Sequence, residues 1–325
     1  MKYYVGIDLG GTNIKAGVVD EQGTLIGKSS IKTHTERAQT DIIRDMGLLA
    51  RQVAQDAGVP AGDILAIGIG APGTPNNVAG TLIYANNLPF DDAPMRQVIR
   101  GVYDLPVYID NDANVAALAE SVAGAARGTR HSVTITLGTG VGGGVVVNGQ
   151  IYSGFNNAGC EIGHMVIKAG GEDCTCGRHG CFESYASATG LIRETERAAR
   201  EHPDSQLNRL IADNGGQADG RTAFIGMRQG DAAATAVVED YIEMLAEGLA
   251  NVINCFMPEV IAIGGGVCNE GDALLVPVRK KAIERSYLGR GVPQPRIVLA
   301  EMGNDAGIIG AAMMAASCLQ EGLAG

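Results

Sequence analysis

Residues 6–27 read GIDLGGTNIKAGVVDEQGTLIG, and residues 134–154 read TITLGTGVGGGVVVNGQIYSG. Each runs from an apolar strand through Leu-Gly into a turn of glycine and threonine, then into a second strand, a polar turn and a third strand. Leu9-Gly10 falls on Leu137-Gly138, and Val18-Val19 on Val146-Val147, at one constant offset. A second pair keeps the same order: ILAIGIGAPG at 64–73 and VIAIGGGVCN at 260–269 are buried-strand runs that end in glycines. Two ordered coincidences predict a duplicated α/β unit. Apolar residues at helical spacing over 40–58 and 234–256 place helices between the strands, as in layered α/β folds. A hairpin follows each glycine turn, so the sheets are mixed, unlike a dinucleotide-binding unit in which a helix follows directly. Residues 195–232 show little periodicity and read as a surface excursion, and the small-residue segment 305–320 reads as a helix that returns to the first domain.

The bulk numbers narrow the function class. With 46% hydrophobic and 19% charged residues over 325 positions, the chain is an ordinary globular protein long enough for two cores. A net charge of −11 without long Lys/Arg clusters argues against nucleic acid or anionic membrane as the main partner. No apolar run reaches membrane-spanning length and no leader pattern opens the chain, so a cytoplasmic location is expected. An odd count of seven cysteines in that setting disfavours a disulfide framework. Cys255, Cys268 and Cys318 lie in apolar contexts and read as buried core thiols.

Three glycine-rich turns carry candidate phosphate chemistry. In DLGGTNIK, residues 8–15, glycines let backbone N–H groups face phosphate oxygens, the Thr12 hydroxyl adds a donor, and Asp8 can hold phosphate-bound Mg²⁺ through water. LGTGVGGG at 137–144 is the matching loop in the second half, so the pair can clamp one triphosphate. IGGGV at 263–267 offers Gly265 and Gly266 as a flat surface for a base or ribose. The plainer readings are a hairpin turn for the first and close strand–helix packing for the third.

YIDNDANVAALAE, residues 108–120, ends a strand and opens a helix, which sets Asp112 at the junction. An N-cap role suffices for such a residue. Phosphoryl transfer to an alcohol also needs one carboxylate to accept the hydroxyl proton, and Asp112 is the candidate, with Asn111 beside it as a hydroxyl-binding neighbour. Downstream, EIGHMVIKAGGEDCTCGRHGCFES at 161–184 collects His164, Cys174, Cys176 and Cys181, the donor set of a closed Cys₃His zinc site. A disulfide across C-T-C is disfavoured by compartment and geometry. A nucleophilic Cys–His pair remains as the alternative, less suited to three clustered thiols.

Taken together, these motifs resemble the ROK family of repressors, open reading frames and sugar kinases. The specific part is E-x-G-H followed by C-x-C-G-x-x-G-C-x-E, here Glu161, Gly163, His164, Cys174, Cys176, Gly177, Gly180, Cys181 and Glu183. The resemblance implies a duplicated actin-like ATPase fold of the ribonuclease H-like α/β class, with a cleft between two domains. The smaller domain would comprise residues 1–113 and 305–325, and the larger, residues 114–304, would carry the zinc loop and second phosphate motif. It implies that Asp112 deprotonates the 6-hydroxyl of a sugar whose other hydroxyls are held by Asn111, Glu161, His164 and Glu183, with Gly73 and Asn87 nearby. Gly10, Gly11, Thr12 and Lys15 match the first phosphate motif, and Gly138, Thr139 and Gly140 the second.

ESYASATGLIRE at 183–194 is similar to the glucokinase branch, which implies glucose, ATP and Mg²⁺ as reactants, structural Zn²⁺, and a homodimer or homotetramer. Kinases of N-acetylglucosamine, N-acetylmannosamine, fructose or allose are the near alternatives. A sugar-responsive repressor is the distant one, disfavoured because no helix-turn-helix precedes the first strand. Cys160 stands where the family has a small residue and is expected beside the knot as a buried neighbour, since four ligands fill a structural zinc. Phe90 replaces a tryptophan and preserves an aromatic.

Overall fold

The computed structural model describes residues 1–85, 88–323 and 325. Asn87 lies outside the described residues. From the N-terminus, β1 (Tyr3–Leu9), β2 (Asn13–Asp20) and β3 (Leu25–Lys32) form an antiparallel meander, and α1 (Gln39–Asp56) leads to β4 (Ile64–Ala71). A small sheet of β5 (Thr74–Asn76), β6 (Thr81–Tyr84) and β7 (Asp91–Ala93) follows, then α2 (Met95–Arg100), β8 (Val107–Asn111) and α3 (Asp112–Val122). The second half opens with β9 (His131–Leu137), β10 (Val141–Val147) and β11 (Gln150–Ile151). After the cysteine loop come α4 (Phe182–Ala186), α5 (Ala188–Glu201), α6 (Gln206–Asp213), α7 (Thr222–Arg228) and α8 (Ala232–Phe256). β12 (Val260–Gly264), α9 (Asp272–Arg285), β13 (Arg296–Leu299) and α10 (Ala306–Gln320) complete the chain.

The two main sheets have strand orders β3-β2-β1-β4-β8 and β11-β10-β9-β12-β13. In both, the hairpin meander of one half is continued by the strands that follow it across crossovers, with β1, β4 and β8 parallel in the first and β12 and β13 parallel in the second. This is the duplicated actin-like topology.

Alternation along the strands decides the layers. Val5, Ile7 and Leu9 turn to a core with α1 and α2, whereas Tyr4 turns to a core with α3 and α10. Gly6 and Gly68 lie on the α10 side, where an added Cβ would stand 1.9 Å from Ile308 O and 1.8 Å from Ala311 O. Only glycine lets a helix backbone lie this close to a sheet.

Two compact units emerge, residues 1–134 with 144–160 and 300–325, and residues 135–143 with 161–299. This division differs from a boundary at 113/114 because α3 packs on α10 within the first unit.

Residues 195–232 are mostly helical, being taken up by the end of α5 and by α6 and α7. Short helices show too few turns for a period to register, yet Ala199 and Leu207 pack with Ala234 in a small core. Cys268 is buried and Cys318 half-buried, but Cys255 is exposed on α8, which corrects its reading as a core thiol. It is the penultimate residue of the helix, whose apolar stripe passes through Val252 and Ile253 instead.

Candidate active site

In the first unit the strand β8 ends directly in α3. Asn111 is the N-cap, its Oδ1 accepting from Ala113 N at 2.9 Å while its Nδ2 donates to Gly73 O at 3.2 Å. One side chain thereby caps the helix and fixes the GAPG turn. Asp112 is the first helical residue, solvent-accessible, with Oδ1 also accepting from Ala113 N at 2.9 Å. Its carboxyl is raised above the usual 3.8 by partial burial, an effect opposed by the Ala113 N–H and reinforced by the negative charge of Asp8. A proton acceptor for an alcohol gains from such a shift, because basicity moves toward the working pH.

Asp8 stands at the end of β1 with one oxygen 3.0 Å from Lys15 Nζ, across the β1–β2 hairpin where the two residues are paired. Its other oxygen has no hydrogen-bond partner among the described residues. Such a carboxylate fits Mg²⁺, which keeps most of its waters and takes one or two protein oxygens beside phosphate. In the turn, Gly10 N donates to Asn13 O at 3.0 Å. The N–H groups of Gly11 and Thr12 and the Thr12 hydroxyl have no partner among the described residues, so three donors of the first loop are uncommitted.

Strand-following reasoning missed two buttresses of this site. Thr33, just past β3 and 1% exposed, donates its hydroxyl to Gly10 O at 2.7 Å and its N–H to Thr12 O at 3.0 Å. Glu120, buried in α3, accepts N–H groups of Ala125, Glu301 and Met302 at 2.8–2.9 Å. It ties α3 to the segment whose Asn304 carbonyl lies 3.5 Å from Lys15 Nζ. For Glu120 the signal is a charged residue in an apolar run, whereas Thr33 sits in the polar run SSIKTHTER, where its sequence neighbours give no hint of its burial.

In the second unit, Gly138 N donates to Gly140 O at 3.0 Å, and the N–H groups of Thr139 and Gly140 have no partner among the described residues. Glu183, near the start of α4, accepts from Val141 N at 3.0 Å through one oxygen and meets the Thr175 hydroxyl at 3.5 Å through the other. At Gly140 an added Cβ would stand 2.2 Å from Glu183 Oε2 and would displace that carboxylate. Gly265 has φ +103° and no room for a side chain against Leu137 O. Gly138 and Gly266 are different: nothing lies within 4 Å of a Cβ at either, so no neighbour in the chain requires glycine there.

The four predicted ligands meet. One ligand atom from each of His164, Cys174, Cys176 and Cys181 lies within 4.8 Å of every other. Cys174 Sγ is 3.6 Å from His164 Nδ1, and Cys176 Sγ is 3.7 Å from Cys181 Sγ. A tetrahedron with ordinary Zn–S and Zn–N bonds has S···S edges of about 3.8 Å and S···N edges of about 3.6 Å, so the donor set fits zinc. The thiols of the cluster do not ionise evenly. Burial raises the Cys174 thiol, but hydrogen bonds from the Cys176 N–H and thiol, Cys181 and His164 outweigh it and bring it down to about 7. Burial and these same thiols push Cys181 up to about 12. His164 presents Nδ1 to the thiols, which leaves Nε2 for another partner. Glu161 opens the 3-10 turn Ile162–His164, with an exposed side chain that has no partner among the described residues. Cys160 donates instead to Tyr152 O at 3.1 Å and is half-buried, apart from the four-ligand cluster.

The sequence pattern that defines the ROK family matches residues 4–317. The chain belongs to the ROK family. Among ROK relatives, the glucokinase of Halalkalibacterium halodurans is 39% identical over 310 residues, covering 95% of this chain and 93% of that one. The ROK hexokinase of Thermus thermophilus superposes with a TM-score of 0.81 at 33% identity, covering 98% of this chain and 99% of that one. A ROK glucokinase from Streptomyces griseus, solved in complex with glucose and AMPPNP, gives a TM-score of 0.78 at 31% identity over 97% of this chain and 99% of that one. The family match spans both glycine loops and the cysteine loop in one continuous run. Among the described residues, no helix is long and apolar enough to cross a membrane.

Proposed function

We propose that the protein is a glucokinase, transferring the γ-phosphoryl group of ATP to the 6-hydroxyl of D-glucose to give glucose 6-phosphate and ADP. The observation that carries the reading is Asp112: an accessible carboxylate of raised basicity, held at the strand–helix junction beside Asn111 and Asp8. The glucokinase relatives support glucose as the acceptor.

In this mechanism Asn111, Glu161, Glu183 and the free Nε2 of His164 hold sugar hydroxyls, with Gly73 and Asn87 alongside. Asp112 takes the proton of the 6-hydroxyl. The oxygen then bonds to the γ-phosphorus, the bond from that phosphorus to the β-bridging oxygen breaks, and ADP departs with the electron pair. Open N–H groups of Gly11, Thr12, Thr139 and Gly140, with Lys15, face the phosphates, while Gly138, Gly265 and Gly266 leave space for the rest of the nucleotide. Mg²⁺, when bound near Asp8, supplies neutralising charge to the phosphates. His164, Cys174, Cys176 and Cys181 would hold zinc, which would fix the loop that carries Glu161 and Glu183 and set the His164 tautomer.

The reading includes a cytoplasmic setting, in keeping with an odd count of seven cysteines, and a homodimer or homotetramer, which follows from the family alone. A coupled ADP-release assay over a panel of hexoses with MgATP tests it. The highest kcat/KM is expected on glucose, and a protein that phosphorylates no hexose would not be a glucokinase.

A further inference from the structure

The two phosphate loops share a feature that their ligand-facing atoms do not explain: their carbonyls are pinned from behind. In the first loop Gly10 O accepts the Thr33 hydroxyl at 2.7 Å and Thr12 O accepts the Thr33 N–H at 3.0 Å. In the second loop Thr139 O accepts the Thr189 hydroxyl at 2.7 Å and Gly138 O accepts the Ala188 N–H at 2.8 Å. Each loop is thus gripped by one threonine hydroxyl and one backbone N–H, the first from the end of β3 and the second from the start of α5.

A planar trans peptide holds its C=O and N–H in opposite directions, and no cis peptide occurs among the described residues. Pinning Gly10 O therefore turns the Gly11 N–H away from Thr33. Pinning Gly138 O and Thr139 O turns the N–H groups of Thr139 and Gly140 away from α5. These are the same N–H groups that find no partner among the described residues. Glycine-rich loops rotate their peptides freely, so without the grip the carbonyl and the N–H would exchange places at little cost, and a carbonyl oxygen would repel phosphate.

We propose that Thr33 and Thr189 are positioning residues for nucleotide phosphate, each setting the peptide planes of one loop so that its N–H groups face the ligand. The proposal rests on the kinase reading above and gives a physical role to the S-A-T-G run at 187–190. Ser187 caps α5 by accepting from Gly190 N at 3.0 Å, and this places Ala188 and Thr189 against the loop.

The test is a titration of MgADP and, separately, of glucose into the full-length protein and its Thr33→Val, Thr33→Ser, Thr189→Val and Thr189→Ser variants, with steady-state KM for ATP and for glucose. Valine keeps the shape and removes the donor; serine keeps the donor. Each valine variant is expected to weaken MgADP binding and raise KM for ATP, about tenfold for Thr33 and at least about threefold for the exposed Thr189, as for loss of one neutral hydrogen bond. Glucose affinity should hold within twofold or so, and each serine variant should restore most of the nucleotide affinity. Thr33 is buried, so its valine variant can lose stability. Thr189 is exposed, and its variants keep the test readable should Thr33→Val not fold. A wild type that binds nucleotide, with valine variants that match it or that lose glucose and nucleotide affinity equally, overturns this proposal alone. A wild type that binds no MgADP overturns the kinase reading and this proposal with it.

Discussion

Replacing Asp112 by asparagine separates catalysis from folding more sharply than any other change. The amide oxygen can still accept from Ala113 N at the 2.9 Å contact the carboxylate makes, so the cap region has no reason to rearrange. What disappears is the proton acceptor. General-base contributions of at least about 100-fold correspond to about 2.7 kcal/mol of transition-state stabilisation, and kcat should fall by that factor with the KM for glucose nearly unchanged.

Stability should move the other way. The folded state holds the Asp112 proton more tightly than the unfolded chain, because burial and Asp8 raise its carboxyl above 3.8. Stability from this group therefore falls as pH rises from 3.8 through the raised value, and the deficit persists at neutral pH. An uncharged asparagine removes that deficit. The variant's melting temperature at pH 7.5 should match or exceed wild type, and the acid limb of the kcat/KM profile, set above pH 3.8 by this carboxyl, should vanish with it. Turnover near wild type would refute the base assignment, and a markedly lower melting temperature would refute the electrostatic reasoning.

Metal analysis should find one zinc per chain. Chelation or Cys176→Ala is expected to raise KM for glucose well above any change in KM for ATP, since the knot carries Glu161 and His164; equal losses would reject the assignment. Gly138→Ala and Gly266→Ala meet nothing in the chain, so the melting temperature should hold or rise slightly while KM for ATP increases at least about tenfold; unchanged ATP kinetics would place the nucleotide elsewhere. Asp231 caps α8 through Ala234 N and also accepts from Gln206 N and the Ser205 hydroxyl at 2.8–3.0 Å. Its alanine variant should lose about 1–3 kcal/mol in chemical denaturation. Burial opposes its ionisation, but these donors outweigh burial and hold its carboxyl below 3.8. Its stabilisation is therefore complete at neutral pH and is lost only as pH falls below 3.8 through the folded value.

The parts of this protein that were legible in its sequence are those encoded locally. The hairpin strands, the run of α8 and the junction at Asp112 each follow from a few consecutive residues. The zinc ligands are the clearest case: all four fall between His164 and Cys181, so a short loop closes on itself, and their pairing follows from residue type. Residues 195–232 were harder because helices of seven or eight residues barely complete two turns; α6 is held by its Ser205 cap and by Asp231, which accepts from Gln206 N, and α7 has no side-chain cap. Cys255 was misread because an apolar neighbourhood in sequence does not say which face of a helix a residue occupies.

What the sequence hid was non-local, and the candidate site depends on it most. The first phosphate loop owes its carbonyl orientation to a threonine 23 residues away, and the second to one 50 residues away. Thr33 belongs to no motif, and Thr189 lies in the S-A-T-G run, outside the glycine loop that it restrains. A glycine loop read alone supplies freedom of rotation, which is as consistent with an idle turn as with a phosphate cradle. The grip from behind is what removes that ambiguity, because it selects one of the two peptide orientations before any ligand arrives. The information that turns a glycine-rich turn into an anion site therefore resides in the residues that restrain it. On this account, a glycine loop of the same sequence without Thr33 or Thr189 behind it would keep the fold of its hairpin and lose most of its affinity for phosphate.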